Sequence, residues 1–228
     1  MPPLRVATID FFYDVASPYS WLAFETLMRY RSEGVWDANI KLRPFFLGGV
    51  MKATGNKPPA TLKAKSRYMQ ADLARMARHH GTPLVPLEDP RAMYNTLAAQ
   101  RLLNAAAMDA PGKLEALTRE LWRRLWGGGG DIASEQQGLR DACAGAGMDA
   151  DFAGSLLKRS GEEAVKARLR EETEAALGRG AFGAPWITVR TSDDKPWEAF
   201  FGCDRFDVLA QVMGRPWLGP CPTTSSRL

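Results

Sequence analysis

The sequence predicts an α/β protein whose β-rich ends are separated by a long all-helical stretch. Three observations predict it. An aromatic and β-branched run, Ile9-Asp10-Phe11-Phe12-Tyr13, passes directly into a helical pattern, and a second strand pattern follows at Asn39 to Phe46. From about residue 60 to 178 the apolar residues recur at helical spacing. At Gly183 the pattern returns to β, with two short strand signals around a turn and then a final helix.

The elements justify themselves in order. Tyr19 to Arg29 carries Trp21, Leu22, Glu25, Leu27 and Met28 and reads as a helix. Ser17 suits its N-cap, and Pro18 suits the first helical position, where a missing N–H costs nothing. In the second strand Ile40 and Leu42 alternate with Lys41 and Arg43, so strand, helix and strand form a right-handed parallel βαβ unit. Leu47-Gly48-Gly49-Val50 leads out of it, and Gly55-Asn56-Lys57-Pro58-Pro59 is a loop by its turn chemistry. Leu62, Met69, Leu73 and Met76 share a helical face that Gly81-Thr82-Pro83 ends. Tyr94, Leu97 and Leu103 mark a second helix of this stretch, and Leu114, Leu117, Leu121 and Leu125 a third. Gly127 to Gly130 breaks the chain, and it lacks the Gly-Lys-Ser/Thr of a phosphate loop. Ser134-Glu135-Gln136-Gln137 reads as a capping box, and Asp149 as the cap of a helix with Phe152, Leu156 and Leu157 inward. Glu162 to Leu177 is a charged surface helix with Glu/Arg pairs at helical spacing.

Ala184-Pro185-Trp186-Ile187-Thr188-Val189 reads as loop and strand, Ser192 to Lys195 as a turn, and Trp197 to Phe201 as the returning strand. Asp204 is placed to cap a helix from Arg205 to Met213. The order βαβ, helices, ββα is that of a thioredoxin fold with an all-helical insertion between its halves. Residues 1–58 and 180–228 then form one discontinuous domain and residues 59–179 the inserted one. In that fold Pro185 is expected to be cis and to face the first helix.

Composition narrows the function. The 228 residues are 45% hydrophobic and 25% charged, which fits a globular protein, and no apolar run approaches a membrane span. A net charge of +4, with no basic run interleaved with aromatics, argues against nucleic acid and is compatible with a small anionic ligand. The N-terminus runs almost directly into the first strand, so no signal or transit peptide is expected. Cys143, Cys203 and Cys221 have neither Cys-x-x-Cys nor metal-site spacing, and an odd count fits a reducing compartment.

Ser17-Pro18-Tyr19-Ser20 sits where thioredoxin-like oxidoreductases carry Cys-x-x-Cys, with Ser in both cysteine places. A helix N-terminus favours an anion, a thiolate included. The frame therefore keeps a thiolate site and lacks the thiol, so the sulfur would come from outside. On the residues alone, a capping serine accounts for Ser17 as well.

The chain resembles the kappa-class glutathione transferases. The resemblance rests on Phe-Tyr-Asp-Val-Ala-Ser-Pro-Tyr-Ser-Trp-Leu-Ala-Phe-Glu (12–25), Leu-Arg-Pro-Phe-Phe-Leu-Gly-Gly (42–49) and Gly-Asn-Lys-Pro-Pro (55–59). Gly-Ala-Phe-Gly-Ala-Pro (180–185), Phe-Gly-Cys-Asp-Arg (201–205) and Trp-Leu-Gly-Pro (217–220) complete it. The bacterial 2-hydroxychromene-2-carboxylate isomerases are similar in architecture and in their serine site. The resemblance implies that Ser17 holds the glutathione sulfur as thiolate, with Pro18 and Tyr19 completing that corner. It implies that Asn56 and Lys65 meet the glycine end, that Ala184, before Pro185, pairs its backbone with the cysteinyl residue, and that Asp204 and Arg205 bind the γ-glutamyl end. Cys203 stands where the family commonly has a small hydroxyl residue and adds a thiol beside the pocket.

Plainer roles stand beside these. Asp204 can be a cap, Asn56 a turn residue and Lys65 a solvated helix lysine. His79 and His80 read as the C-terminal end of a helix, which leaves no serine-hydrolase triad. The expected function is glutathione transfer to a hydrophobic electrophile, without metal and with organic hydroperoxide reduction as a side activity. A glutathione-dependent cis–trans isomerase is the first alternative, and a non-catalytic binding or chaperone-like protein the second. The resemblance also implies a homodimer. The segment from Pro220 to Leu228 is polar and Pro-punctuated, and reads as mobile. It ends Ser-Arg-Leu, a near variant of the Ser-Lys-Leu address, so a peroxisomal import receptor is an expected partner. Peroxisome is the expected location, with mitochondrion or cytosol as alternatives.

Overall fold

A computed structural model describes residues 6–85, 87, 95–128 and 136–222. β1 (Ala7–Tyr13) pairs in parallel with β2 (Ala38–Pro44) across α1 (Pro18–Ser32). After the helical stretch, β3 (Trp186–Arg190) adds antiparallel to the other side of β1, and β4 (Glu198–Phe201) returns antiparallel on β3. The sheet order is β2-β1-β3-β4, closed by α9 (Phe206–Met213). This is the predicted thioredoxin arrangement.

β1 is central, so both faces of its pleat are covered. Ile9, Phe11 and Tyr13 enter the main core with α1 and the inserted helices. Phe12 points to the opposite face, where Phe45, Val50 and Trp186 form a smaller cluster. Asp10 shares that face, buried, and its Oδ2 accepts from Arg43 at 2.8 Å and Arg179 at 2.6 Å. Both guanidiniums also lie against the Phe12 ring, so the charge buried in the sheet is paired.

The insertion comprises α3 (Lys63–His79), α4 (Leu97–Asp109), α5 (Pro111–Trp126), α6 (Gln136–Gly145), α7 (Ala150–Ser160) and α8 (Glu163–Gly178). It packs into the same main core as β1, β3 and α9. Buried polar bonds tie it to the end of β1. Tyr13 Oη meets Thr118 Oγ1 at 2.7 Å, and Trp126 Nε1 donates to Val15 O at 3.0 Å.

Five sequence expectations need correction. Leu47-Gly48-Gly49-Val50 is not a simple exit: α2 (Leu47–Thr54) forms there and closes on Gly55 in the left-handed region. Phe152 is exposed on α7, while Leu156 takes the buried place. α8 is not merely a surface helix, since Val165, Leu169, Glu172 and Ala176 are buried and Glu172 meets Arg43 at 2.7 Å. Asp204 does not cap α9: the cap position is Arg205, without a side-chain bond. Residues 220–222 are held, because Arg29 Nη1 donates to Pro220 O at 3.2 Å and to Cys221 Sγ at 3.3 Å. Tyr94, Gly129 and Gly130, the Ser134-Glu135 half of the capping box and the Ser-Arg-Leu terminus lie outside the described residues.

Candidate active site

The site forms where β1 ends and α1 begins. Asp14 follows the last β1 residue and is fully buried. Its Oδ1 accepts from Ala16 N at 3.0 Å and Thr96 Oγ1 at 2.8 Å, and its Oδ2 from Leu47 N at 2.9 Å. One carboxylate thus binds the turn before α1, the start of α2 and the residue preceding α4. Burial raises its pKa, against the opposing pull of these donors. Sequence reading missed Asp14; its signal was an acidic residue inside an otherwise apolar run.

The Asp14 carbonyl accepts from Ser17 N at 3.0 Å, which sets Ser17 as the N-cap of α1 with φ −95° and ψ 114°. Ser17 Oγ accepts from Ser20 N at 3.1 Å and donates to Ala184 O at 3.1 Å. Ser17 is therefore a capping residue as predicted. It also bridges to the loop before β3, 167 residues away in the chain. The Ala184–Pro185 bond is cis.

These residues line a cavity of about 580 Å³ between the sheet end and α3. Ser17, Pro18, Tyr19, Asn56, Lys65, Ala184 and Asp204 all line it. Pro185 and Arg205 do not. Pro185 contributes its carbonyl to Gly202 N at 3.2 Å, holding the loop that carries Cys203 and Asp204. Gly202 has φ +98°, a conformation that favours glycine. Arg205 is exposed and paired with Asp204 Oδ2 at 2.6 Å.

Tyr19 Oη donates to Asp72 Oδ2 at 2.9 Å, and partial burial with that carboxylate raises the phenol pKa. Its proton is thus committed to α3. Asn56 Nδ2 donates to Phe182 O at 2.7 Å and its Oδ1 accepts from Lys57 N, so the side chain staples the 55–59 loop to the 180–184 turn. Lys65 is exposed and makes no ion pair among the described residues. Cys203 lies in the wall, and burial first, then Asp204, pushes its thiol up to about 12. It is a neutral thiol at physiological pH. The remaining wall, including Met51, Tyr68, Met69 and Met76, is largely apolar.

Chemically, the arrangement offers a hydroxyl at a helix N-terminus, the Ala184 backbone beside it, polar groups at the far ends and an apolar chamber. Among the described residues no cluster of three or more His, Cys, Asp or Glu side chains is arranged around a metal position.

Residues 8–214 match the family model of the DSBA-like thioredoxin domain. The chain is 42% identical over 221 residues to glutathione S-transferase kappa 1 of Homo sapiens, covering 94% of each chain. It is 41% identical to glutathione S-transferase kappa 1 of Rattus norvegicus, covering 95% of each. Among solved structures it is similar to a 2-hydroxychromene-2-carboxylate isomerase, with a TM-score of 0.72 and 28% identity over 91% of this chain and 94% of that one.

Proposed function

This chain belongs to the kappa class of glutathione S-transferases, within the family of DSBA-like thioredoxin domains, and we propose that its transferase chemistry runs through Ser17. It is an enzyme, and glutathione is its co-substrate. The observation that carries the assignment of Ser17 is its hydroxyl at the α1 N-terminus, bonded to Ala184 O on the wall of the cavity.

That bond supports an exchange on binding. The cysteinyl N–H of glutathione takes Ala184 O as its acceptor, and the Ser17 hydroxyl hydrogen turns to the sulfur. Ser17 keeps Ser20 N as a donor throughout, so its oxygen stays fixed while its proton is redirected. The helix N-terminus and the hydroxyl both favour sulfur as the anion. The thiol proton leaves to solvent. The thiolate then attacks an electrophilic carbon held against the methionine and tyrosine wall, forming S–C, and the displaced group departs with its electron pair. The site supplies a stabilised thiolate and a positioned electrophile.

Asp204 suits the γ-glutamyl ammonium, with Arg205 beside it for the carboxylate, and Lys65 suits the glycine carboxylate. Asn56 acts through the loop it staples and its second amide hydrogen. Calorimetric titration with glutathione tests the binding site, and Ser17→Ala tests the catalytic role. Wild-type affinity and turnover in Ser17→Ala would move the assignment elsewhere.

An isomerase reading is favoured by one observation, the likeness to the solved 2-hydroxychromene-2-carboxylate isomerase. There the thiolate adds to a substrate and leaves again, so glutathione is not consumed. Loss of free thiol during turnover distinguishes transfer from isomerisation. The Ser226-Arg227-Leu228 terminus supports a peroxisomal location. Deleting Leu228 then disperses the protein to the cytosol, and unchanged import excludes that address. The homodimer expected of the class is tested by light scattering.

A further inference from the structure

A second cavity, of about 350 Å³, lies between α2, α4 and α8, on the other side of Phe46 from the catalytic one. Its lining combines apolar Phe46, Leu97 and Leu169 with three cations, Arg101, Lys166 and Arg170, against one carboxylate, Glu174. The volume falls in the lower part of the range of roughly 300–1,000 Å³ for small-molecule sites.

The cations are unequally used. Arg170 pairs with Glu163 at 2.5 Å, at an exposed position, and Lys166 stands 4.0 Å from the same carboxylate. Arg101, half-buried on α4, makes no ion pair among the described residues. Its Nε is buried without a hydrogen-bond partner. A buried guanidinium N–H without an acceptor is costly, and guanidinium is shaped to take a carboxylate or phosphate on two N–H groups. Nothing on the described cavity wall supplies that acceptor to it. Among the described residues, Glu163 and Glu174 are the carboxylates facing the three cations, which leaves that cluster net positive.

The Phe46 wall is firmly placed. Phe46 N donates to Thr173 Oγ1 at 3.0 Å, and the next residue, Leu47, donates to Asp14. The cavity is thus a preformed pocket with an apolar floor and a cationic side, distinct from the glutathione site.

We propose that this cavity binds a small organic carboxylate with a compact apolar body. The carboxylate pairs with Arg101, with Lys166 adding charge, and the body lies against Phe46, Leu97 and Leu169. It is a non-catalytic site, and its ligand is recognised independently of glutathione.

The test is calorimetric titration of the full-length protein with 1-naphthoate, in the wild type, Arg101→Gln and Lys166→Gln. Because Arg101 has no ion pair to lose among the described residues, and its pull on exposed Glu163 is a minor one, Arg101→Gln should not lower the unfolding temperature and should leave transferase activity unchanged. The expected result is binding to the wild type that weakens tenfold or more in Arg101→Gln, less in Lys166→Gln, and falls with added salt. If Arg101→Gln folds poorly, Lys166→Gln, whose side chain is 34% exposed, carries the test alone through a smaller loss. Affinity equal in all three proteins would place the ligand elsewhere, in the catalytic cavity for example, and overturn the proposal. So would the absence of any binding to the wild type at millimolar 1-naphthoate.

Discussion

Replacing Ser17 by Ala removes one hydrogen-bond donor from the position the sulfur is proposed to occupy. A hydrogen bond to a charged group contributes about 1.5–3 kcal/mol. At about 1.4 kcal/mol per pKa unit, its loss raises the pKa of bound glutathione by about one to two units. If the mutant value returns to that of a free thiol, about 8.5, the thiolate fraction at pH 7 is about 3%. The wild type, at about 6.5–7.5, would hold eight to twenty-five times more on the same scale. Turnover near neutrality should fall by that factor, and the deficit should close above pH 8.5, where solvent removes the proton unaided. The same substitution deletes the Ser20 N cap and costs roughly 0.5–2 kcal/mol of stability. The assay must therefore run well below the melting temperature. Ultraviolet thiolate absorbance of the glutathione complex, titrated against pH, gives the pKa directly. Superimposable curves for wild type and Ser17→Ala would refute the reasoning and leave Ser17 as a cap. Ser17→Thr should retain part of the effect.

Three further outcomes follow from the buried groups. Asp14→Asn turns an amide toward donors that now find a carboxylate, so unfolding should move to lower temperature by the equivalent of about 1–3 kcal/mol, with kcat reduced; an unchanged melting curve would show that the three bonds to Asp14 are dispensable. His80 is buried between α1 and the end of α3, and burial, then His79 and Arg29, lowers its pKa to about 4. The unfolded chain therefore binds the proton first, and stability should fall as pH drops from about 6.5 toward 4. Melting temperatures across that window should flatten in His80→Gln, and an identical slope would exonerate His80. Finally, iodoacetamide at pH 7.5 should label exposed Cys221 well before Cys143 or Cys203, whose thiols burial holds up at about 11 and about 12. Peptide mass spectrometry reads the order, and early labelling of Cys203 would contradict its placement.

The fold was legible where pattern and chain order act together. The Ser17-Pro18 join, the helical stretch and the hairpin after Pro185 each carry a local signal, and their order permits one arrangement. α2 was hidden because two glycines weaken its propensity; its start is set instead by Asp14 and Thr173, which are remote in sequence. Phe152 misled because an apolar residue at helical spacing need not find a partner, whereas buried Glu172 is accounted for only by Arg43 and Arg168. In the site, residue types suggested ligand contacts, but not the commitments they already hold. Tyr19 is bound to Asp72, Asn56 to Phe182 and Arg205 to Asp204. The first two partners come from elements that only the folded chain brings together, whereas Asp204 is the neighbour of Arg205 in the chain.

The antiparallel junction of β1 with β3 has a consequence for synthesis. β1 leaves the ribosome well before its partner on that side, which starts at Trp186. About 170 residues must follow before the edge can close, which at roughly 5–20 residues per second takes about 10–35 s. Throughout that interval an aromatic strand, paired on one side at most, presents open backbone groups to the nascent chain and its neighbours. The insertion therefore sets a timing hazard as well as a cavity wall. Translation speed and early protection of Phe11 to Tyr13 should govern soluble yield more than the final stability of the enzyme does.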